Sequence, residues 1–188
     1  MDSELKFQEF PKIARLSRDI VVTEKIDGTN GLIYIGPAVA EGYEQTFLVG
    51  SRTRWITPET DNFGFAKWCY KHKQELLALG PGYHYGEWWG NGIQRGYGLP
   101  NGDKRFSLFN IARWQDAAVR PACCGVVPVL YQGDFSEALI NGCLEALKVG
   151  GSRAAIFMNP EGIVIFHTAA RVYFKKTIVN DEKPKGVN

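Results

Sequence analysis

Apolar and polar residues alternate along the first third of the chain, which is the pattern of half-buried β-strands. This alternation predicts strands over 20–26, 31–36 and 45–51. After residue 61 the apolar residues recur at helical spacing, at Phe65, Cys69, His72, Leu76 and Leu79. The pattern therefore predicts a helix over 61–79, which the Gly-Pro-Gly sequence at 80–82 would end.

The rest of the chain returns to β-type patterns with one helical interruption. Strands are predicted near 83–88, 105–111 and 126–131, followed by a final pair at 161–167 and 171–177. The segment GNGIQRGYGLPNG after the first of these is too rich in glycine for a regular element, so it is interpreted as a surface loop. Asp134 and Glu137 form a capping-box signature, which predicts a second helix that ends at the Gly-Gly pair 150–151.

The composition adds limits on size and charge. A chain of 188 residues, 45% of them hydrophobic and 13% aromatic, can bury one core of ordinary size. We therefore expect one domain over 1–188, with 178–188 as a loosely held charged tail. The formal net charge is only +2, so a polyanionic partner would be met by local basic clusters. Three stretches contain such clusters: Arg52, Arg54, Lys67, Lys71 and Lys73; Lys104, Arg105 and Arg113; and Arg171, Lys175, Lys176, Lys183 and Lys185.

Cysteine spacing and hydropathy bear on the compartment. The four cysteines form no CxxC pair, so no disulfide framework is indicated. The first residues, MDSELKFQEFPKI, carry charges where a signal peptide needs an apolar run. No stretch approaches the roughly 20 apolar residues of a membrane span. These features lead us to expect a cytoplasmic protein with no membrane contact, and we expect it to be a monomer.

The most informative segment is EKIDGTN at 24–30, which sets a lysine two residues ahead of an Asp-Gly turn between two strands. An amine beside a carboxylate at a tight glycine turn can approach a phosphate closely, and the flanking strands would hold it in place. The same residues also suit a solvated lysine before an ordinary hairpin turn. Further segments, most of them at predicted strand ends, decide between these interpretations: SRTR at 51–54, YGEWWG at 85–90, RFSLFNI at 105–111, PEGIVIF at 160–166 and FKKT at 174–177.

Four of these segments, KIDGTN, YGEWWG, PEGIVIF and FKKT, resemble in this order motifs I, III, IV and V of the RNA ligases in the covalent nucleotidyltransferase superfamily. RFSLFNI stands where that family has its base-stacking motif IIIa, and the resemblance covers nearly the whole chain. Asn30 favours the RNA ligase branch, because DNA ligases and capping enzymes usually carry arginine at that position. The resemblance implies an α+β fold in which antiparallel β-sheets are flanked by helices and the nucleotide-binding pocket lies between the sheets.

The resemblance implies catalytic roles for four residues. Lys25 would be the nucleophile that becomes adenylated, and Asp27 would orient its amine or hold metal-bound water. Glu161 would hold Mg²⁺ or Mn²⁺ through the water shell of the ion, so Glu161 and Asp27 are the expected metal residues. Lys175 would meet the α-phosphate of ATP.

Further residues are expected to bind the nucleotide or the nucleic acid. The nucleotide set is Glu24, Arg52, Glu87, Phe109 and Lys176. Within it, Glu87 would accept hydrogen bonds from the ribose hydroxyls and Phe109 would stack on adenine. The nucleic-acid set is Asn30, Arg54 and Arg95. Each of Glu87 and Glu161, taken alone, would be better explained as an exposed acid at a strand end.

Motif V departs from the family pattern. The family usually has two lysines separated by one residue, whereas Lys175 and Lys176 are adjacent here. Successive side chains of a strand point to opposite faces, so only one of the two can enter the pocket. We expect this to be Lys175.

The activity implied is ATP-dependent RNA ligation. Lys25 would form a covalent lysyl-AMP, AMP would pass to an RNA 5′-phosphate, and an RNA 3′-hydroxyl would displace it to seal the strand. A DNA-nick ligase or a capping guanylyltransferase is an alternative, although both usually carry a C-terminal OB domain for which these 188 residues leave no room. A nucleic-acid end-binding module that has lost turnover is a third interpretation.

Overall fold

Ten strands and four short helices make up the computed structural model, which describes residues 6–37 and 45–182. The strands are β1 (Asp19–Lys25), β2 (Thr29–Ile35), β3 (Phe47–Gly50), β4 (Trp55–Ile56), β5 (Gly82–Gly90), β6 (Lys104–Leu108), β7 (Cys124–Val126), β8 (Val129–Asp134), β9 (Gly162–His167) and β10 (Val172–Thr177). The helices are α1 (Phe65–Lys71), α2 (Lys73–Leu76), α3 (Ile111–Trp114) and α4 (Glu137–Gly150), with 3₁₀ turns at Leu77–Leu79 and Gly96–Gly98.

The strands form two sheets. The first has the order β10-β9-β1-β8, and the second has the order β4-β3-β2-β5-β6-β7. All pairings are antiparallel except that of β6 with β7, which is parallel. The predicted α+β fold with helices flanking antiparallel sheets is therefore confirmed, with this one parallel pair as an addition.

The first sheet buries one face under α4. Ile20 and Val22 of β1 pack with Leu144 and Leu147 of that helix in one apolar cluster. Because side chains alternate along a strand, Val21, Thr23 and Lys25 face the other way. They line a cleft that separates the two sheets.

The second sheet buries the face that points away from the cleft under α1 and α2. Phe65 of α1 packs against Trp88 and Phe106 in the largest apolar cluster of the described residues. Trp89, next in sequence to Trp88, points the other way and packs with Tyr97 in a cluster that joins the two sheets near the β1–β2 turn. Both tryptophans are buried. The cleft therefore lies between two sheets that are each rigidly backed.

Several predicted boundaries are wrong for local reasons. The helix predicted over 61–79 breaks at His72, whose backbone leaves helical geometry at φ −100° and ψ 15°. The apolar spacing continues across this break, so the sequence pattern does not reveal it. The capping box at Asp134 does not form, because Asp134 is the last residue of β8 and Ser136 caps α4 by accepting from the Leu139 N–H.

Other differences concern short elements. The strand predicted over 105–111 ends at Leu108, and Asn110 then caps α3 by accepting from the Arg113 N–H. The strand predicted over 126–131 is two strands that belong to different sheets, β7 and β8. The two-residue strand β4 was not predicted either. Strands and helices of two to four residues are too short to show a period.

The C-terminal tail lies only partly within the described residues. The Ile178 N–H donates to the Glu161 carbonyl, and the Thr177 N–H donates to Asp181 Oδ1 at 2.7 Å. The start of the predicted tail is therefore attached to the sheet, whereas Lys183 and Lys185 lie outside the described residues. Among the described residues, every helix is too short or too polar to cross a bilayer.

Candidate active site

The cleft between the sheets has a volume of about 1570 Å³. Its walls come from β1, β9 and β10 on one side and from β2, β5 and the segment after β6 on the other. Most of the residues singled out from the sequence line it: Glu24, Lys25, Asn30, Arg52, Glu87, Phe109 and Lys175. The structure thus collects in one cavity residues that lie up to 151 positions apart, from Glu24 to Lys175.

Lys25 ends β1 and forms an ion pair across the first sheet. Its Nζ lies 2.6 Å from Oε2 of Glu161, and β1 pairs with β9 so that Lys25 stands opposite Gly162, the neighbour of Glu161. The Lys25 side chain is 23% exposed and that of Glu161 only 7%. The amine therefore remains accessible from the cleft, while its carboxylate partner is buried.

The turn after Lys25 packs directly on β5. A Cβ at Gly28 would overlap the Trp88 carbonyl oxygen and would lie 2.8 Å from Trp89 Cβ, so only glycine allows this approach. As a result the Gly28 N–H donates to Oε1 of Glu87 at 3.0 Å. Asn30 Nδ2 donates to the other oxygen, Oε2, at 3.4 Å. Glu87 thus binds both the turn after Lys25 and the start of β2, the strand that neighbours its own.

The environment of Glu87 disfavours its charge. Burial, with smaller contributions from the negative charges of Glu161 and Asp27, raises the pKa of Glu87 to about 7, and Lys25 and the Gly28 N–H limit this rise. A carboxyl group that titrates near neutrality can change its protonation with small changes in its surroundings. Glu87 is therefore placed to respond to ligand charge in the cleft.

This raised pKa predicts a specific pH dependence of stability. The folded state binds more protons than the unfolded state between pH 4.5 and about 7, so the free energy of unfolding should fall as pH rises through that window. The shift corresponds to roughly 3 kcal/mol in the free energy of unfolding. Glu87→Gln should remove this dependence and be more stable than wild type at about pH 8, but not at about pH 5. Urea unfolding at both pH values measures the difference, and parallel pH profiles would contradict it.

Asp27 is held by the glycine-rich loop after β5. Arg95 Nε donates to Asp27 Oδ2 at 3.0 Å, and the Asp27 N–H donates to the Tyr97 hydroxyl at 2.9 Å. Tyr97 is fully buried, and its ring contacts Phe157 at a centroid distance of 4.8 Å. The interpretation of this loop as a mere surface loop is therefore wrong, since the loop fixes both the backbone and the carboxylate of Asp27.

Arg95 also connects this loop to the segment before Glu161. Its Nη1 donates to the carbonyl oxygens of Asn159 and Pro160, at 2.9 and 3.2 Å. The guanidinium of Arg95 therefore connects the two segments that carry Asp27 and Glu161, and its predicted nucleic-acid contact stays a prediction. The sequence signal for such an inward loop is the pair Ile93 and Tyr97, two large apolar residues within a glycine-rich segment.

The carboxylate of Glu24 binds the loop that follows α4. Its carboxylate accepts from Ser152 Oγ at 2.5 Å and from the backbone N–H groups of Arg153 and Ala154 at 2.6 and 3.2 Å. Burial raises the pKa of Glu24, and these hydrogen bonds oppose the rise. The carboxylate of Glu24 therefore fixes the loop after α4, while the residue also lines the cleft, and its role in nucleotide binding stays a prediction.

The two lysines of β10 lie on opposite faces, as their alternation requires. Lys175 lines the cleft, whereas Lys176 Nζ donates to Asn141 Oδ1 on α4 at 2.8 Å. Of the two lysines, only Lys175 therefore lines the cleft, and the predicted nucleotide contact of Lys176 would require its ammonium group to leave Asn141.

The remaining predicted residues divide between the cleft and the surface. Phe109 lines the cleft, whereas Phe106, three residues earlier, is fully buried in the core of the second sheet. Arg52 is exposed and also lines the cleft. Arg54 is exposed but does not line it, and its Nη2 donates to the Thr60 carbonyl at 3.4 Å. The structure therefore does not place Arg54 among the cleft residues.

Comparison with known proteins identifies the family. The sequence model described as RNA ligase matches residues 18–179. The chain belongs to the RNA ligase family. The resemblance found in the motifs is thereby confirmed. A search of curated proteins finds no match to the chain.

Solved structures of an RNA ligase from Naegleria gruberi share the fold. A glutamate-to-alanine variant of Naegleria gruberi RNA ligase with ATP and Mn gives a TM-score of 0.62 at 18% identity, over 86% of this chain and 50% of that chain. Another glutamate-to-alanine variant of the same ligase, with AMP and Mn, gives a TM-score of 0.57 at 18% identity, over 85% of this chain and 49% of that chain. The chain thus spans about half the length of the solved structures that it matches.

Proposed function

We propose that this member of the RNA ligase family is the nucleotidyltransferase part of an ATP-dependent RNA ligase, and that Lys25 carries AMP as a covalent intermediate. The observation that supports this most directly is the position of Lys25. Its accessible amine lies 2.6 Å from a buried carboxylate, in a cleft that Lys175, Glu87 and Phe109 also line. A nucleophile, a cation for phosphate, a carboxyl group for ribose and an aromatic ring for the base are therefore within one cavity.

In the first step the neutral amine of Lys25 would attack the α-phosphorus of ATP. An N–P bond forms, the bond from that phosphorus to the bridging oxygen breaks, pyrophosphate leaves, and the nitrogen loses a proton. In the second step a 5′-phosphate oxygen of RNA attacks the same phosphorus and releases the Lys25 amine. In the third step a 3′-hydroxyl attacks the capped 5′-phosphate, loses its proton and expels AMP. Positioning and charge stabilisation carry most of such phosphoryl transfers.

The protonation of Lys25 is the main obstacle to the first step. A free lysine has a pKa near 10.4, so roughly one molecule in a thousand is neutral at pH 7. The amine of Lys25 is also engaged with the Glu161 carboxylate, at 2.6 Å. Attack therefore requires that the Lys25 amine lose its proton and that its contact with the Glu161 carboxylate be weakened.

The carboxylates fit a hard divalent ion, which the Naegleria relatives contain as Mn. Glu161 is buried beside Lys25. Asp27, two residues after Lys25, lies on a turn fixed by Arg95 and Tyr97. Carboxylate oxygens are the ligands that Mg²⁺ and Mn²⁺ prefer. We infer that Glu161, with Asp27 nearby, holds such an ion together with ATP. When bound, the ion would disfavour the ammonium form of Lys25 and withdraw charge from the α-phosphate.

Intact-mass spectrometry tests the proposal. The protein is incubated separately with ATP, GTP, CTP and UTP, each with Mg²⁺ or Mn²⁺ and with neither ion. The expected result is a mass gain of one AMP with ATP and metal only, reversed by added pyrophosphate. A gain with GTP alone would indicate a capping guanylyltransferase, and no gain with any nucleotide would overturn the proposal.

The nucleic-acid substrate is tested by sealing. Asn30 and Arg52 line the cleft beside Lys25, and the end that receives AMP is proposed to be an RNA 5′-phosphate. The comparison uses one nick whose 3′-hydroxyl strand is RNA or DNA, with the adenylated protein. Sealing of the RNA strand is expected to be faster, and equal sealing of both would contradict the assignment to RNA.

The opposite placement of two adjacent lysines gives a matched pair of variants. Lys175→Ala should lower the rate of lysyl-AMP formation by about tenfold to a hundredfold, because it removes a charge that stabilises the reacting phosphate. Lys176→Ala should leave the rate within about twofold, because its ammonium group binds Asn141 on the far face. Single-turnover labelling with ATP measures both. A larger loss of rate for Lys176→Ala than for Lys175→Ala would show that Lys176, and not Lys175, acts on the phosphate.

A further inference from the structure

A strip of aromatic rings, three of them exposed and one half-buried, runs along the cleft-side face of the second sheet. It consists of Tyr34, Trp55, Tyr83 and Tyr85, and we call it the aromatic strip. Trp55, Tyr83 and Tyr85 are 48%, 58% and 55% exposed. A contiguous apolar surface of this kind on a soluble protein marks an interaction site more often than isolated exposed residues do.

The rings are neighbours in space because of the strand register. Tyr34 stands opposite Tyr83 in the β2–β5 pairing, and their ring centroids are 4.7 Å apart. Trp55 extends the row beyond Tyr34, at 6.4 Å, and Tyr85 extends it toward the active site, at 6.4 Å from Tyr83 with the two planes 14° apart. The strip is thus one continuous row rather than four separate side chains.

The strip continues directly into the proposed active site. Tyr83, Tyr85 and Glu87 are alternate residues of β5, so they share one face of the sheet, and all three line the cleft. Glu87 and Tyr83 are four residues apart, about 13 Å along a strand. That length equals about four nucleotides at 3.4 Å each along a stacked strand.

Two arginines flank the strip. Arg52 and Arg54 both lie on the exposed turn that leads into β4, immediately before Trp55. An aromatic row beside positive charges is the arrangement by which proteins bind single-stranded nucleic acid, since bases stack on the rings and phosphates meet the cations. The positive charges of Arg52 and Arg54 attract phosphate groups and would repel a positively charged partner.

We propose that the aromatic strip binds unpaired bases of the RNA strand that adjoins the end held at Lys25. This inference rests on the proposed RNA ligase function and specifies its substrate as RNA with a single-stranded segment of a few nucleotides. Stacking on tyrosine and tryptophan tolerates any base, so the strip would bind without sequence preference. Arg52 and Arg54 would meet the phosphates of the same segment.

The test combines protein variants with altered RNA. Binding of a 5′-phosphorylated single-stranded oligoribonucleotide is measured by fluorescence anisotropy, for the intact RNA and for the same RNA with abasic sites near its 5′ end. The variants are Tyr34→Ala and Trp55→Ala, with Tyr34→Phe and Trp55→Phe as ring-preserving counterparts. Tyr70→Ala is the matched control, because Tyr70 is also exposed but packs on Phe47 at the opposite face of the sheet.

The expected result is a loss of affinity on the order of tenfold for each alanine variant with intact RNA, and little loss for the phenylalanine and Tyr70→Ala variants. Abasic RNA should bind wild type weakly and should remove the difference between wild type and the alanine variants. Equal binding of intact RNA by wild type and both alanine variants would overturn the proposal. The proposal would also be overturned if the alanine substitutions lowered the affinity for abasic RNA as much as that for intact RNA, because the rings would then not be contacting bases.

The same proteins separate this inference from the proposed function. Tyr34 and Trp55 do not line the cleft, so both alanine variants should form lysyl-AMP at the wild-type rate. If wild type forms no lysyl-AMP, the proposed function fails, and the anisotropy measurements still report whether the strip binds RNA. If wild type is adenylated but the strip variants bind RNA normally, only the present inference fails.

Discussion

Lys25→Arg is expected to abolish covalent labelling by α-labelled ATP while leaving the folded structure in place. The guanidinium group stays protonated and cannot attack phosphorus, yet it can still pair with Glu161. Lys25→Ala should abolish labelling as well, but it also leaves the buried Glu161 carboxylate without this cation. Removal of one partner from a fully buried ion pair lowers the free energy of unfolding by about 3–5 kcal/mol. The cost is smaller here, because the Lys25 side chain is partly exposed. The arginine variant is therefore the cleaner test.

Labelling is measured by gel autoradiography and intact mass, with thermal unfolding as the check on folding. Lys176→Ala is the control, since it removes an ammonium group from the other face of the same sheet. Adenylation of Lys25→Arg at any appreciable level would mean that another residue is the nucleophile. The three-step scheme on Lys25 would then have to be abandoned.

Strand alternation made much of the site predictable from the sequence. The period of two in β1 sets Lys25 on the face opposite to Ile20 and Val22, which are the buried residues of that strand. The same rule predicted that Lys175 and Lys176 diverge, although it did not identify their partners. Residues on regular strands are therefore placed by local pattern alone, because the register follows from which face is buried.

The supports of the site were not predictable, because they join segments far apart in sequence. Arg95 and Tyr97 hold Asp27 across 68 and 70 positions, and the loop after α4 binds Glu24 across 128 or more. No period links such residues. The glycine-rich loop shows this most clearly. Its backbone turns inward at Tyr97, where φ is 51°, and this buries a side chain that composition assigns to the surface.

Glu161→Gln is expected to lower the rate of metal-dependent lysyl-AMP formation by about a hundredfold to a thousandfold, the range for removing one preorganised charge at a reacting centre. Glutamine has the shape of glutamate, so packing around this buried residue should change little. The substitution removes the charge that would hold a divalent ion. It also removes the charge that pairs with Lys25 at 2.6 Å.

These two roles of Glu161 predict opposite effects, and the metal dependence separates them. Loss of the Lys25 ion pair alone would favour the neutral amine and raise the rate. Loss of the metal site would lower the rate and shift the Mn²⁺ titration of labelling to higher concentration. We expect the second effect to dominate, because charge must also leave the α-phosphate as pyrophosphate departs. Glu145→Gln, an exposed glutamate of α4 paired with Lys148, is the control. A rate equal to or above wild type, with an unchanged Mn²⁺ titration, would show that Glu161 acts only as the resting partner of Lys25.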